Sequence, residues 1–165
     1  MKLFSRIIGE GQPLLIVHGL FGMSDNWQSL GKKFADFYEV HLIDQRNHGR
    51  SPHSAVFNYK VLANDLLKYI KEHKLNNVLL MGHSLGGKTA MELAVRYPDL
   101  VQKLIVVDIS PKAYPVHHDK IIQGLQSLDF SELNSRGEAD RKLTEYIDDA
   151  GVRQFLLKNL YWVEK

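Results

Sequence analysis

The sequence predicts an α/β fold built on a doubly wound, mostly parallel sheet. Short apolar segments without strand-type alternation recur along the first two thirds of the chain, with amphipathic helical stretches between them. This alternation requires right-handed crossovers, which place successive strands parallel in one sheet. A glycine-rich turn, GHSLGG at residues 82–87, joins one apolar segment to one amphipathic stretch. That junction fits the strand-to-helix connection of such a fold.

Four apolar segments are predicted to be buried parallel strands. Each is short, lacks polar alternation and is rich in leucine or β-branched residues, as expected of strands covered on both faces. They occupy residues 13–18, 40–43, 78–81 and 104–109.

Three amphipathic stretches between and after these strands predict helices. In the first, Trp27, Leu30 and Phe34 recur at helical spacing. Residues 61–70 form the second, and residues 87–97 form the third, which stops before Pro98.

After Ile109 the pattern becomes entirely helical. Residues 121–128 and 151–160 predict two helices, and Ser135 with Glu138 has the spacing of a capping box ahead of a further one. No strand candidate follows residue 115. We therefore expect residues 1–114 to form the core and residues 115–165 to form part of an inserted helical cap.

Composition excludes several classes of function. The 165 residues carry a formal charge of only +2 without runs of like charge, so neither nucleic acid nor a membrane is an expected partner. The absence of cysteine removes disulfides, thiolate metal sites and a cysteine nucleophile. The N-terminal residues do not resemble a signal peptide, and no apolar run has transmembrane length. A cytoplasmic protein is therefore expected.

The turn at residues 82–87 predicts a catalytic serine, Ser84. A serine between a strand and a helix is held in a strained conformation with its hydroxyl above the sheet edge, and crowding requires small residues two positions before and after it. The N–H of Leu85, at the start of the helix, could then donate to a developing oxyanion. A phosphate-binding loop is the rival interpretation, but neither the Walker A nor the dinucleotide-binding glycine spacing is present.

Two further loops follow predicted strands at the same sheet edge. HGLFG (residues 18–22) is expected to supply the second oxyanion donor, the backbone N–H of Phe21, with Leu20 as the alternative. In DQRNHGRSP (residues 44–52), Asp44, Arg46 and His48 could contact substrate. We favour the interpretation that they form a hydrogen-bonded network bracing the active-site loops.

Asp108 is the candidate acid, and a histidine base is harder to find. Asp108 ends the strand that follows Ser84, so it could orient an imidazole. The base should follow the acid in the chain, where only His117 and His118 occur, at the start of the cap. His18 and His83 flank the site but are better explained by packing and loop bracing. We expect this chain alone to lack the catalytic histidine.

Taken together, HGLFG, DQRNHGRSP, GHSLGGK and VVDISP resemble the small bacterial esterases of the YbfF type, within the α/β-hydrolase superfamily. The resemblance extends over essentially the whole chain. It implies an α/β-hydrolase fold and hydrolysis of small-molecule carboxylic esters or acyl thioesters through an acyl-enzyme, without metal or cofactor. It also implies Ser84 as nucleophile, Asp108 as acid, and Leu85 and Phe21 as the oxyanion hole.

Members of this group continue beyond the point matching Lys165, completing the cap, the sheet and a histidine loop. The resemblance therefore implies that this chain is the N-terminal part of such an enzyme, with the fold incomplete at the C-terminus. The strand before Asp108 would then be an exposed edge, and a second chain carrying the remainder could restore both edge and base. Three rivals remain open: an acyltransferase, a carbon–carbon hydrolase, and a non-catalytic ligand-binding module on the same scaffold.

Overall fold

The computed structural model describes residues 1–114 and 118–162. The chain forms two compact units, Met1–Pro111 and Lys112–Lys165. Strands and helices alternate in the first unit, and the described part of the second is helical.

A five-stranded sheet organises the described residues of the first unit, with strand order β1-β3-β2-β4-β5. Its strands are β1 (Ser5–Ile8), β2 (Pro13–Val17), β3 (Glu39–Ile43), β4 (Val78–His83) and β5 (Val101–Val107). β1 pairs antiparallel with β3, whereas the other neighbouring strands pair parallel. The predicted mostly parallel sheet is confirmed.

Helices cover both faces of this sheet, as a doubly wound fold requires. They are α1 (Gln28–Phe34), α2 (Tyr59–Glu72) and α3 (Leu85–Arg96). On one face, Leu15 and Val17 of β2 pack in one core with Leu66 of α2 and Leu93 of α3. Each of these fully buried side chains contributes roughly 2 kcal/mol of transfer free energy.

The opposite face of β2 forms a second core. Leu14 and Ile16 pack there with Trp27 and with Phe34 of α1. Because alternate residues of β2 enter the two cores, the strand lies at the centre of the fold. This explains why residues 13–18 read as a continuous apolar run.

The two edge strands depart from the sequence-based expectation. β1 was not predicted, because it is only four residues long, contains polar residues and leaves Ile7 45% exposed. β5 was expected to be covered on both faces, yet Leu104 is 38% and Ile105 39% exposed. That expectation is wrong because, within the described residues, β5 pairs with a strand on one side only, β4, so no neighbouring strand flanks its side chains on the other side. The alternative expectation, an exposed edge strand leading to Asp108, is confirmed.

In the second unit, three helices occupy the described residues: α4 (Asp119–Gln126), α5 (Arg136–Leu143) and α6 (Ala150–Leu157). The Ser135 hydroxyl accepts the Glu138 N–H at 3.2 Å, as predicted for a cap. The Glu138 carboxylate accepts the N–H of Asn134 at 2.8 Å, one residue before the partner expected in a capping box. The Arg153 guanidinium of α6 bonds Asp140 of α5 at 2.9 Å.

Across residues 1–114 and 118–162, every helix is too short or too polar to cross a lipid bilayer.

Candidate active site

Ser84 lies at the sharp turn between β4 and α3. Its backbone has φ 52° and ψ −115°, a combination that side-chain-bearing residues rarely adopt. The Ser84 N–H donates to the Val107 carbonyl at 3.1 Å, and its own carbonyl accepts the Lys88 N–H at 3.1 Å. The turn is therefore anchored to both β5 and α3, which hold the strained conformation.

The glycines on either side of Ser84 are required by close backbone packing. A Cβ on Gly82 would overlap the carbonyl oxygen of Gly86, and a Cβ on Gly86 would overlap that of Val17. The small residues predicted at these two positions are thus explained by steric exclusion. The second contact also brings the first turn of α3 against the end of β2.

The loop after β2 lies beside Ser84, because β2 and β4 are neighbouring parallel strands. A Cβ on Gly19 would lie 3.2 Å from the Ser84 Cβ and 2.9 Å from Nδ1 of His83. The loop closes in a turn, in which the Gly22 N–H donates to the Gly19 carbonyl at 3.0 Å. Phe21 in this turn has φ 61°, a second strained residue at the same edge.

Leu85 is the first residue of α3. N–H groups in the first turn of a helix have no partner within the helix and carry the positive end of its dipole. Leu85 follows Ser84 directly, so its N–H is available at the elbow. The geometry thus brings together Ser84, Leu85 and the loop that contains Leu20 and Phe21.

Asp108 lies one strand along the same edge, directly after β5. Its φ is 53°, and its side chain is 86% exposed. Asp108 Oδ2 lies 3.7 Å from Nε2 of His83, whose side chain is 37% exposed. His83 was expected to serve packing and loop bracing, and this contact with the candidate acid was missed. The contact follows from the register of the sheet, in which His83 pairs with Val107, the residue before Asp108.

Two other histidines near the site are buried and hydrogen-bonded. His18 Nε2 accepts the Gln45 N–H at 3.0 Å, so Nδ1 must carry the proton that faces the Gly19 carbonyl at 2.8 Å. Burial lowers the pKa of His18 to about 4, so the ring is neutral near pH 7. Burial also lowers the pKa of His48, whose Nδ1 lies 2.9 Å from the Arg46 carbonyl. The bracing interpretation of His18 is confirmed.

The histidines that follow Asp108 belong to the second unit. His118 is the N-cap residue of α4, and His117 lies outside the described residues. In the described ranges, no group of three histidine, aspartate or glutamate side chains is arranged to hold a metal ion.

Comparison with known proteins identifies the family. Residues 12–142 match the family model described as alpha/beta hydrolase fold. The chain belongs to the α/β-hydrolase family. The resemblance inferred from its motifs is confirmed.

Several solved and curated relatives of this α/β-hydrolase are named esterases or lipases. A structure titled marine microorganism esterase is 48% identical, with a TM-score of 0.96, over 99% of this chain and 65% of that one. Esterase YbfF of Escherichia coli is 35% identical over 91% of this chain and 59% of its own length. The sn-1-specific diacylglycerol lipase ABHD11 of Danio rerio is 38% identical over 92% of this chain and 50% of its own length. The chain thus spans about half to two thirds of the length of these three proteins.

The loop after β3 in this α/β-hydrolase is a hydrogen-bonded brace. Asp44 accepts the N–H groups of Ser24 at 2.5 Å and Arg50 at 2.9 Å. Arg46 forms a buried two-bond ion pair with Asp65 of α2, at 2.6 and 3.0 Å. The network interpretation of Asp44, Arg46 and His48 is confirmed.

Proposed function

We propose that this chain is the nucleophile-bearing part of a serine hydrolase that cleaves carboxylic esters or acyl thioesters, with Ser84 as the nucleophile. The observation that carries the proposal is the strained backbone of Ser84 at the junction of β4 and α3. Such strain is retained where the surroundings enforce it and where it serves chemistry. The names of the esterase and lipase relatives support the same reaction class.

The reaction would proceed through an acyl-enzyme. The hydroxyl oxygen of Ser84 attacks the acyl carbon while a histidine takes the hydroxyl proton. The histidine then passes that proton to the departing alcohol or thiol. The N–H groups of Leu85 and Phe21 donate to the tetrahedral oxyanion, each contributing about 3 kcal/mol. Water then attacks the acyl carbon while the same histidine takes its proton, and that proton passes to the departing Ser84 oxygen, which releases the carboxylic acid and restores the serine hydroxyl. Asp108 orients the imidazole and stabilises its protonated form.

We also propose that the base is supplied by polypeptide that pairs with the outer edge of β5. Beside that edge lies an open apolar groove of about 560 Å³, with Met91 and Val95 of α3 and Leu104 and Val106 of β5 among its lining residues. Apolar surface of this kind marks a site of association. A strand added at β5 would end next to Asp108, where its following loop could present a histidine to Ser84.

Imidazole rescue on the 165-residue chain tests Ser84 as the nucleophile and the expectation that the base comes from outside this chain. The chain is incubated with a fluorophosphonate ester, with and without added imidazole as a replacement base, and the adduct is mapped by mass spectrometry. Little labelling is expected without imidazole, and imidazole-dependent labelling is expected at Ser84. The matched control, Ser84→Ala, should acquire no adduct.

Each other outcome changes a specific part of the proposal. Labelling of Ser84→Ala at the same rate would exclude Ser84 as the nucleophile. Rapid labelling of Ser84 without imidazole would place the base within this chain, and a His117→Gln/His118→Gln double variant would then locate it. With an ester substrate and an added alcohol, recovery of mainly the new ester instead of the free acid would identify an acyltransferase.

A further inference from the structure

The Gln45 side chain links two elements of the candidate site. Its Nε2 donates to the His18 carbonyl at 2.8 Å, and its Oε1 accepts the Thr89 hydroxyl at 2.9 Å. The Gln45 backbone N–H donates to the His18 ring at 3.0 Å. Gln45, the second residue after β3, therefore connects the start of the loop 18–22 to the second turn of α3.

The orientation of this amide is fixed by its partners. The His18 carbonyl can only accept, so the Gln45 nitrogen must face it and the oxygen must face Thr89. All three residues are at most 1% exposed. A buried amide that loses a partner costs about 1–3 kcal/mol, so the arrangement resists displacement.

The two ends of the bridge lead directly to the proposed oxyanion donors. His18 begins the loop that carries Phe21, and Thr89 is four residues beyond Leu85, whose carbonyl lies 3.0 Å from the Thr89 hydroxyl. Oxyanion donors act only when they are held within about 0.5 Å of the productive geometry. A bridge between the loop and the helix is therefore placed to set the separation of the two donors.

We propose that Gln45 is a positioning residue that fixes the loop 18–22 relative to the N-terminus of α3. The inference rests on the proposed function of Ser84. Gln45 touches no reacting atom, and it acts through the carbonyl of His18 and the hydroxyl of Thr89. Its loss leaves the nucleophile in place and displaces the N–H groups that face it.

Amide hydrogen exchange tests the bridge without relying on any activity. Gln45→Met preserves the length of the side chain and removes both hydrogen bonds. The control is Tyr69→Phe, which removes a buried hydroxyl that bonds Ser5 and His41 away from the site. Faster exchange of the Gly22 amide is expected in Gln45→Met and not in Tyr69→Phe. Unchanged exchange in Gln45→Met would overturn the proposal.

Imidazole-rescued labelling of Ser84 supplies the second readout. Gln45→Met is expected to lower the maximal labelling rate by about tenfold or more with unchanged half-saturation by the fluorophosphonate, because the donors matter only as the oxyanion forms. Tyr69→Phe should stay within about twofold of the parent rate. An unchanged maximal labelling rate in Gln45→Met would contradict the positioning role. A parent chain that is never labelled would instead contradict the proposed function of Ser84, and the hydrogen-exchange result would then decide on Gln45.

Gln45→Glu separates positioning from simple packing. When protonated, its carboxyl group can donate to the His18 carbonyl and accept from Thr89, as the amide does, and burial favours that neutral form. The labelling rate of Gln45→Glu relative to the parent is therefore expected to rise as the pH falls. A ratio independent of pH would show that the hydrogen bonds of Gln45 do not act on the site.

Discussion

Gly86 has no room for a side chain, because a Cβ at this position would overlap the carbonyl oxygen of Val17. Gly86 belongs to the first turn of α3, and Val17 ends β2, the strand that leads into the loop 18–22. This contact sets how closely the helix that follows Ser84 approaches that loop. It links the geometry of the candidate site to the packing of the sheet.

Gly86→Ala is expected to destabilise the protein by about 3 kcal/mol, because rigid backbone atoms must shift to admit the methyl group. The control is Gly137→Ala in α5, where the nearest atoms to the new Cβ lie 3.9 Å away. The control should change the free energy of unfolding by less than about 1 kcal/mol, in the stabilising direction. Urea unfolding measures both, and equal effects would refute the packing argument.

Ser84→Gly is expected to be more stable than Ser84→Ala by about 1 kcal/mol. Both variants remove the hydroxyl, but only glycine adopts the positive φ of this turn without strain. Chemical denaturation of the two variants measures the difference in their free energies of unfolding, which reports the cost of the strained backbone at residue 84. If alanine proves as stable as glycine, the turn is not strained in solution.

Stability is expected to fall as the pH drops from about 6.5 towards 4, partly through His18. The folded pKa of His18 is about 4, below its ordinary value of 6.5, because burial disfavours the charged ring. Between these values the unfolded chain binds more protons, so folding loses up to roughly 3 kcal/mol on acidification, and the full contribution is present above pH 6.5.

Urea unfolding from pH 7.5 to 4.5 tests this dependence. His18→Gln should lose less stability over that interval than the parent, whereas the exposed control His53→Gln should follow the parent. A ring proton resonance of His18 that titrates near pH 6.5 in the folded protein would contradict the assigned cause.

Charge placed on β5 is expected to reduce self-association. Leu104 and Ile105 are more than a third exposed on an edge strand, and exposed apolar edges pair with other chains. Ile105→Lys should therefore lower light scattering at high protein concentration. The control Val56→Lys alters a residue that is 54% exposed and lies outside the sheet. Equal scattering from both variants would show that β5 does not mediate association.

The centre of the fold and most of the candidate site could be predicted from sequence, because both depend on local patterns. Strands covered on both faces are apolar throughout, and the strand–turn–helix context marked Ser84 directly. The two edge strands, β1 and β5, were harder to predict from sequence. β1 has too few apolar residues to stand out, and the apolar run of β5 predicts burial although its side chains are exposed.

Contacts between distant segments account for the rest. Nothing local to Gln45 indicates that its amide joins His18 to Thr89, because the three residues converge only when β2, β3 and α3 are assembled. The contact of His83 with Asp108 likewise depends on the register of β4 against β5. Such relationships become visible only in three dimensions.

The position of each strand in the sheet also determines the order in which the parts of the candidate site unfold. In the part of the chain that the structure describes, β4 is hydrogen-bonded on both sides, by β2 and β5, whereas β5 is bonded only by β4. Edge segments open at lower free energy than central ones. In mild denaturant, the end of the site that carries Asp108 is therefore expected to fray while the Ser84 turn is still intact, so that acid and nucleophile are lost in separate steps.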